Sequence, residues 1–328
     1  MLIIYMRLFT SILFIILYLT SPSFSDENFN KWLLNYKKYA INQGVSKQTV
    51  ETAFKNTKLL RKIITYDRNQ PEFIEKLEVY LGKRVNKQKI IYAKKLIKKN
   101  NSLLDEVEKK YNVPRNYLVS LWGIETVFGK HKGKVDIISA LATLSYDKRR
   151  SKYFSGELIT LLKLLDKNIV KLSDLRGSWA GAHGNFQFMP SSIKNYAVDY
   201  NKDGNINLYS SLEDSFASAA NYLKTIGWDK NPWGVEVKLN KKINKKNFTF
   251  DARKLAKKRT VNEWMKMGVI IPQDFKIDEN VKARLVKPDG DISPIYMVFN
   301  NYEKLLHWNR SLRFAITIGI FADYLSNV

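Results

Sequence analysis

The chain is expected to be mainly α, an α+β protein in which a small β-containing subdomain interrupts a helical body. Three observations lead there. Apolar residues recur at helical spacing through much of residues 26–226. Two-residue alternation appears in a lysine-rich stretch between about 236 and 292. Residues 302–324 then return to helical periodicity.

Taken in order, residues 1–25 read as a signal peptide. Arg7 supplies a positive charge, residues 8–19 are apolar, and Ser23 and Ser25 are small residues at the −3 and −1 positions before Asp26. An uncleaved membrane anchor is the alternative, although the apolar stretch is near the short limit for spanning a bilayer. The sequence contains no cysteine, which excludes a lipid anchor attached through a cysteine thiol and leaves stability to the core. Residues 26–110 form an expected N-terminal helical domain. Trp32, Leu33, Tyr36 and Tyr39 repeat at helical spacing, a second run starts at Val50, and residues 72–84 join apolar positions to a basic end. One long amphipathic helix is expected over about 89–111.

Residues 111–235 are the expected core domain. Pro114 reads as a helix start and Gly129 as its stop, with further helices over 153–166 and 213–226. The insert at 236–292 alternates in Val235-Glu-Val-Lys-Leu-Asn240 and in Phe248-Thr-Phe250, and is punctuated by Pro272, Pro288 and Asp289-Gly290. Residues 293–328, a strand or connector at 295–299 followed by helix, would complete the core. A chain of 328 residues, 45% hydrophobic with seven tryptophans, suits two or three packed subdomains. Its net charge of +24, or +23 without residues 1–25, favours a polyanion: nucleic acid, anionic lipid or a carboxylate-bearing cell wall. Export makes nucleic acid the weakest of these.

Glu125 is the first candidate for chemistry. It shares an i, i+3, i+4, i+7 stripe with Leu118, Leu121 and Trp122, so an unpaired carboxylate there would lose hydration and stay protonated near neutrality. Gly123 removes a side chain beside it. The bland alternative is a glutamate that reaches solvent or pairs with a lysine. Residues 177–190 come second: Gly177, Gly181 and Gly184 would let backbone approach a ligand. Ser178, Asn185 and Gln187 offer hydrogen bonds, and Trp179, Phe186 and Phe188 offer flat apolar faces, a mixture that suits sugars. An ordinary glycine-rich loop with core aromatics fits equally. Third, Asp199, Asn201, Asp203, Gly204 and Asn205 match positions 1, 3, 5, 6 and 7 of a calcium loop. Ser210 stands at position 12, where a glutamate is needed, so Glu213 or Asp214 would have to close the shell; a metal-free Asx-turn cluster is the alternative. His131, His183 and His307 are too scattered for a zinc motif. Asp136, Asp147 and Glu157 lack an apolar, glycine-lined setting, so no second catalytic carboxylate stands out.

These residues resemble a family. Gly123-Ile-Glu125-Thr126, Ala140-Leu-Ala-Thr-Leu-Ser145, Arg149-Arg150 with Tyr153-Phe-Ser-Gly-Glu157, Gly177-Ser-Trp-Ala-Gly-Ala182, Gln187-Phe-Met-Pro-Ser-Ser192 and Ala220-Asn-Tyr222 fall in the order of the B-type lytic murein transglycosylases, glycoside hydrolase family 103. The resemblance is dense from about Tyr80 to Trp228. It implies a lysozyme-like helical core, an N-terminal helical domain and a small inserted β subdomain. It further implies cleavage of the MurNAc–GlcNAc β-1,4 bond of peptidoglycan without water, leaving 1,6-anhydro-MurNAc. Glu125 matches the family's single catalytic carboxylate. Ser178, Gln187 and Tyr222 match saccharide-binding positions, and Tyr80, Arg149, Arg150 and Tyr153 match subsite and peptide contacts. Trp308 and Asn309 fall where the family usually shows Tyr-Asn, and His183 where methionine is common.

The resemblance also brings a possible structural calcium held by Asp199, Asn201, Asp203, Asn205 and Asp214, with no cofactor required for the chemistry. A periplasmic monomer acting on glycan strands, with cell-wall machinery as a possible protein partner and no nucleic acid, completes the expectation. A hydrolytic muramidase and a non-catalytic wall-binding scaffold are the competing functions.

Overall fold

The computed structural model describes residues 24–68, 75–290 and 293–327. The expected signal segment lies outside these residues except for Phe24 and Ser25, which begin the first helix. Helices α1 (Phe24–Asn42), α2 (Lys47–Phe54), α3 (Arg61–Arg68), α4 (Leu77–Arg84), α5 (Lys87–Lys99) and α6 (Asn101–Tyr111) lead into the body. Their starts follow from local chemistry: Ser46 accepts the Thr49 N–H ahead of α2, and Asn86 the Lys89 N–H ahead of α5. The single helix expected over 89–111 divides at Asn100, whose side-chain amide donates to the Leu96 carbonyl at 2.8 Å. An asparagine that bonds backbone in this way favours a break over continuation.

The central body comprises α7 (Arg115–Thr126), β1 (Val135–Asp136), α8 (Ile137–Tyr146), α9 (Ser151–Asp166), β2 (Arg176–Gly177), α10 (Pro190–Tyr196) and α11 (Leu212–Thr225). Helix α8 is buried from Ile137 through Ser145, as expected of a helix apolar on every side at the centre of a fold. One apolar cluster extends from Phe29 to Leu325. Helices α1 to α3 pack on α8 and α9, across the boundary expected at residue 110.

The inserted unit contains β3 (Gly234–Leu239), β4 (Phe248–Thr249), β5 (Arg259–Thr260), α12 (Val261–Lys266), β6 (Val269–Ile270), β7 (Lys282–Val286) and β8 (Ile295–Val298). The sheet order is β4-β7-β8-β3-β6, with β5 also beside β7. Every pairing is antiparallel except β4 with β7. The segment expected at 295–299 to complete the helical core is thus the central strand of the inserted sheet, and the unit spans 234–299 where 236–292 was expected. Strand alternation explains the double allegiance. Tyr296 and Val298 join the main core, whereas Met297 and Phe299 face a small second core with Val237, Trp264 and Leu285. Helices α13 (Asn300–Trp308) and α14 (Leu312–Tyr324) then return to the body. Among the described residues no helix is long and apolar enough to cross a membrane.

Trp233 fastens the insert to the body. Its indole lies over Gly319 of α14, where a Cβ would stand 2.1 Å from the ring, and its Nε1 donates to Asp323 Oδ2 at 2.9 Å. Gly319→Ala is therefore expected to cost about 1–3 kcal/mol by overpacking; an unchanged calorimetric Tm would show that the indole can step aside. Burial pushes the Asp323 carboxyl from 3.8 up to about 6, with the Trp233 bond partly offsetting it. A raised folded-state value gives a stability contribution that is complete below pH 3.8 and lost as pH rises through about 6. Relative to Asp323→Asn, wild type is thus expected to lose stability between about pH 4 and pH 7; parallel curves of Tm against pH for the two would refute this.

Candidate active site

Glu125 occupies the last turn of α7, half-buried, beyond the buried Leu118, Leu121 and Trp122. Trp308 Nε1 donates to Glu125 Oε1 at 2.9 Å. The chain reverses immediately afterwards: Val127, Phe128 and Gly129 have φ of 51°, 59° and 79°. A β-branched valine in the left-handed region is strained, of order 1–3 kcal/mol. The reversal is held by Phe128 N–H to the Trp122 carbonyl at 3.1 Å, His131 N–H to the Thr126 carbonyl at 2.8 Å and Gly129 N–H to Thr126 Oγ1 at 3.0 Å. Gly123 serves this reversal. A Cβ there would stand 2.8 Å from the Phe128 ring and 2.9 Å from Phe321, so the glycine admits Phe128 to the core and does not clear space beside Glu125.

Trp308, at the end of α13, also meets Tyr222 edge-on at 4.7 Å, Phe188 at 5.4 Å and Phe186 at 6.3 Å. Tyr222 Oη is hydrogen-bonded to His307 Nδ1 at 2.9 Å. Burial, then Tyr196 and Tyr153, raise its hydroxyl pKa further, so the phenol is neutral. These residues from α11, α13 and the glycine-rich segment form one aromatic floor under the acid. Asn309, at the end of α13, is half-buried beside Trp308.

The glycine-rich segment packs against protein. A Cβ on Gly177 would stand 2.1 Å from the Ala182 carbonyl oxygen, and one on Gly184 2.3 Å from that of Leu208, which corrects the expectation that these glycines admit a ligand. Asn185 likewise turns inward. Its Oδ1 accepts from Trp122 Nε1 at 3.1 Å, while its Nδ2 donates to the Leu208 carbonyl and to Ser215 Oγ, each at 3.1 Å. It ties α7 to α11. Ser178 Oγ accepts the Ala180 and Ala182 amides at 3.3 and 3.0 Å. Gln187 has φ 51° and donates to the Gly184 and Lys132 carbonyls at 2.9 and 3.2 Å. Both side chains are half-buried. His183 is buried on Tyr209, donates Nδ1–H to the Arg176 carbonyl at 3.0 Å and is kept neutral by burial.

Arg149 and Arg150 share one acidic partner. Both guanidinium groups close on Asp67, a carboxylate 2% exposed at the end of α3; Arg149 Nε donates to it at 2.6 Å. Tyr153, one turn into α9, keeps 49% of its surface exposed. Burial of its hydroxyl end, followed by Glu157, pushes its pKa up to about 12, with Arg150 opposing. Tyr80, expected at a subsite, is 2% exposed and its ring is covered by Arg84 at 3.5 Å. The candidate second carboxylates are engaged elsewhere. Glu157 accepts Ser191 N–H at 2.8 Å and Oγ–H at 2.7 Å, Asp136 accepts Ser139 N–H at 2.7 Å, and Asp147 pairs with Arg68 at 3.0 Å.

In the loop after α10, Asp199 accepts the Asp203 and Gly204 amides, Asn201 the Asp203 amide, and Asp203 the Asn205 amide. Asp214, first choice to close a calcium shell, is wholly buried, and its two oxygens accept Tyr200 N–H and Asn207 N–H at 2.9 Å each. Oxygen donors of this kind suit a hard cation. In the structure Asp214 clasps the loop through these two backbone amides.

The helical body, the single glutamate at a helix end and the aromatic floor define a protein of the lysozyme-like class. The chain belongs to the transglycosylase SLT domain family, whose pattern matches residues 28–323. It is 47% identical over 128 residues to the membrane-bound lytic murein transglycosylase B of Escherichia coli (strain K12); the match covers 39% of this chain and 35%, about a third, of that protein's length. SltB3 from Pseudomonas aeruginosa, solved in complex with NAG-anhNAM-pentapeptide, is 32% identical with a TM-score of 0.82, covering 91% of this chain and 80% of that one. The Escherichia coli lytic transglycosylase Slt35 in complex with calcium is 26% identical with a TM-score of 0.76, covering 90% and 92%.

Sequence reasoning missed Asp67, the inward role of Asn185 and the direct Trp308–Glu125 bond. Nothing local marks Asp67, because its partners lie more than 80 residues away. Asp214→Asn is expected to destabilise the protein by about 1–3 kcal/mol, since an amide NH2 would face a backbone donor. The loss should be equal in calcium and in chelator; a loss confined to calcium would make Asp214 a ligand.

Proposed function

We propose that the chain is a peptidoglycan lytic transglycosylase that cleaves the MurNAc–GlcNAc β-1,4 bond and leaves 1,6-anhydro-MurNAc ends. The observation that carries this reading is the 2.9 Å bond from Trp308 Nε1 to Glu125 Oε1. It holds a helix-end carboxylate over an aromatic floor, while Asp67, Glu157 and Asp214 are engaged by other protein groups. An acid held beside an aromatic floor suits a reaction whose nucleophile is part of the substrate, the chemistry that the resemblance implies.

Glu125 gives its proton to the glycosidic oxygen as the C1–O bond breaks, and the GlcNAc end leaves as an alcohol. The acetamido group of MurNAc stabilises the cation at C1. The C6 hydroxyl oxygen then bonds to C1 while its proton passes to the Glu125 carboxylate. The acid is restored and no water is consumed. Trp308, a donor with no acceptor atom, steadies the carboxylate between the two transfers. Tyr222 and Trp308 supply surfaces for sugar rings. Ser178, Gln187, Tyr153 and Asn309 supply directional contacts. Export by residues 1–25 would place a monomer in the periplasm beside its glycan strands.

Glu125→Gln keeps an oxygen for Trp308 and removes the proton. Turnover of purified murein is expected to fall at least about a hundredfold, with Tm unchanged or slightly raised because a partly desolvated acid is removed. A large drop in Tm with turnover retained would make Glu125 structural. Mass spectrometry of wild-type products distinguishes the chemistries: anhydro ends weigh one water less than the reducing ends of a hydrolytic muramidase, and no release at all would leave a binding scaffold.

A further inference from the structure

Between α2–α3 and the paired strands β1 and β2 lies a groove of about 710 Å³. Its walls include Ile63 and two aromatic rings, Tyr66 and Trp179, which meet edge-to-face at 6.5 Å. Trp179 directly follows Ser178, so the groove adjoins the glycine-rich wall of the active site. Lys58, Lys62 and Arg176 also line it, all exposed, and no carboxylate pairs with them among the described residues. The one acid in the lining, Asp136, is turned to the start of α8, where it accepts Ser139 N–H. Tyr66 immediately precedes Asp67, whose carboxylate occupies both Arg149 and Arg150. The arginines to which the resemblance assigned peptide contacts are thus tied to Asp67 while staying partly exposed, and three further cations stand in the adjoining groove.

We infer that this groove binds the stem peptide of the glycan strand, with Lys58, Lys62 and Arg176 facing its carboxylates and Tyr66 and Trp179 facing its short alkyl side chains. The inference rests on the proposed function for its substrate. Charge complementarity selects the occupant. Stem peptides carry free carboxylates at intervals along a chain of small side chains, and the groove combines three cations with an apolar, aromatic wall. Because the cations are exposed, each contact is weak and screened by salt. The groove therefore adds affinity and registers the strand, and takes no part in bond cleavage.

The test measures binding to sacculi in the full chain carrying Glu125→Gln, so that nothing is digested. Lys62→Glu with Arg176→Glu is compared with Lys241→Glu and Lys242→Glu, an equal charge change on the exposed surface of the insert. Intact sacculi and sacculi stripped of stem peptides by an amidase are the two substrates. The groove variant is expected to raise Kd for intact sacculi on the order of tenfold, with the difference shrinking in high salt, and to leave binding to stripped sacculi unchanged. The insert variant should bind both like the parent. Equal losses for the two variants, an equal loss on stripped sacculi, or no loss on intact ones would each overturn the inference. Failure of the functional reading is seen separately, as absence of anhydro products from wild type.

Discussion

The site depends on how α7 ends. Thr126 closes the helix and the chain turns back through three left-handed residues, Val127, Phe128 and Gly129. An ordinary fray would leave Glu125 on a mobile last turn. Here the Thr126 hydroxyl accepts Gly129 N–H and donates to the Asn185 carbonyl at 2.8 Å, and Trp122 one turn earlier donates to the Asn185 side chain. Asn185 reaches on to Ser215 in α11. The acid is thereby fixed relative to the helix that carries Tyr222, which in turn supports Trp308. Strain in a valine persists because the surrounding bonds over-determine the turn.

A second constraint concerns acids in a chain with 55 basic and 31 acidic residues. Asp67 binds two guanidinium groups, Glu157 caps the start of α10 through Ser191, and Asp214 clasps a loop through two amides. Each is a buried carboxylate with its donors supplied, which removes most of the desolvation cost of burying it. Glu125 differs in kind. Trp308 supplies it with a neutral indole N–H, a donor that brings no charge of its own to the carboxylate.

Much of this was legible in the sequence. Helical periodicity marked α7, α9 and α11 to within a few residues, because each buries one face against the body. Glu125 stood out because a carboxylate interrupts an apolar stripe, and the neighbouring motifs supplied its chemistry. Strand β8 was legible as apolar but not as part of the insert: both of its faces are buried, in different cores, so no polar alternation assigns it to one. The glycines were misread for a related reason. Sequence shows that a Cβ is absent at Gly123, Gly177 and Gly184, but not whether the space goes to a ligand, an aromatic ring or another stretch of backbone. Asp67 was invisible because ion pairs across such sequence separation leave no local pattern.

Trp308 is where this chain departs from the tyrosine its family usually shows, and the geometry gives the change a physical reading. A phenol both donates and accepts, and its hydroxyl rotates; an indole N–H donates in one fixed direction and does not titrate. Seated edge-on against Tyr222 and Phe188, the ring has little freedom to turn away from Glu125. In the proposed reaction the acid serves twice, first as donor and then as acceptor, with Trp308 beside its Oε1. A fixed neutral donor allows that reversal without a second proton entering the exchange, which is the requirement a one-carboxylate mechanism imposes on its surroundings.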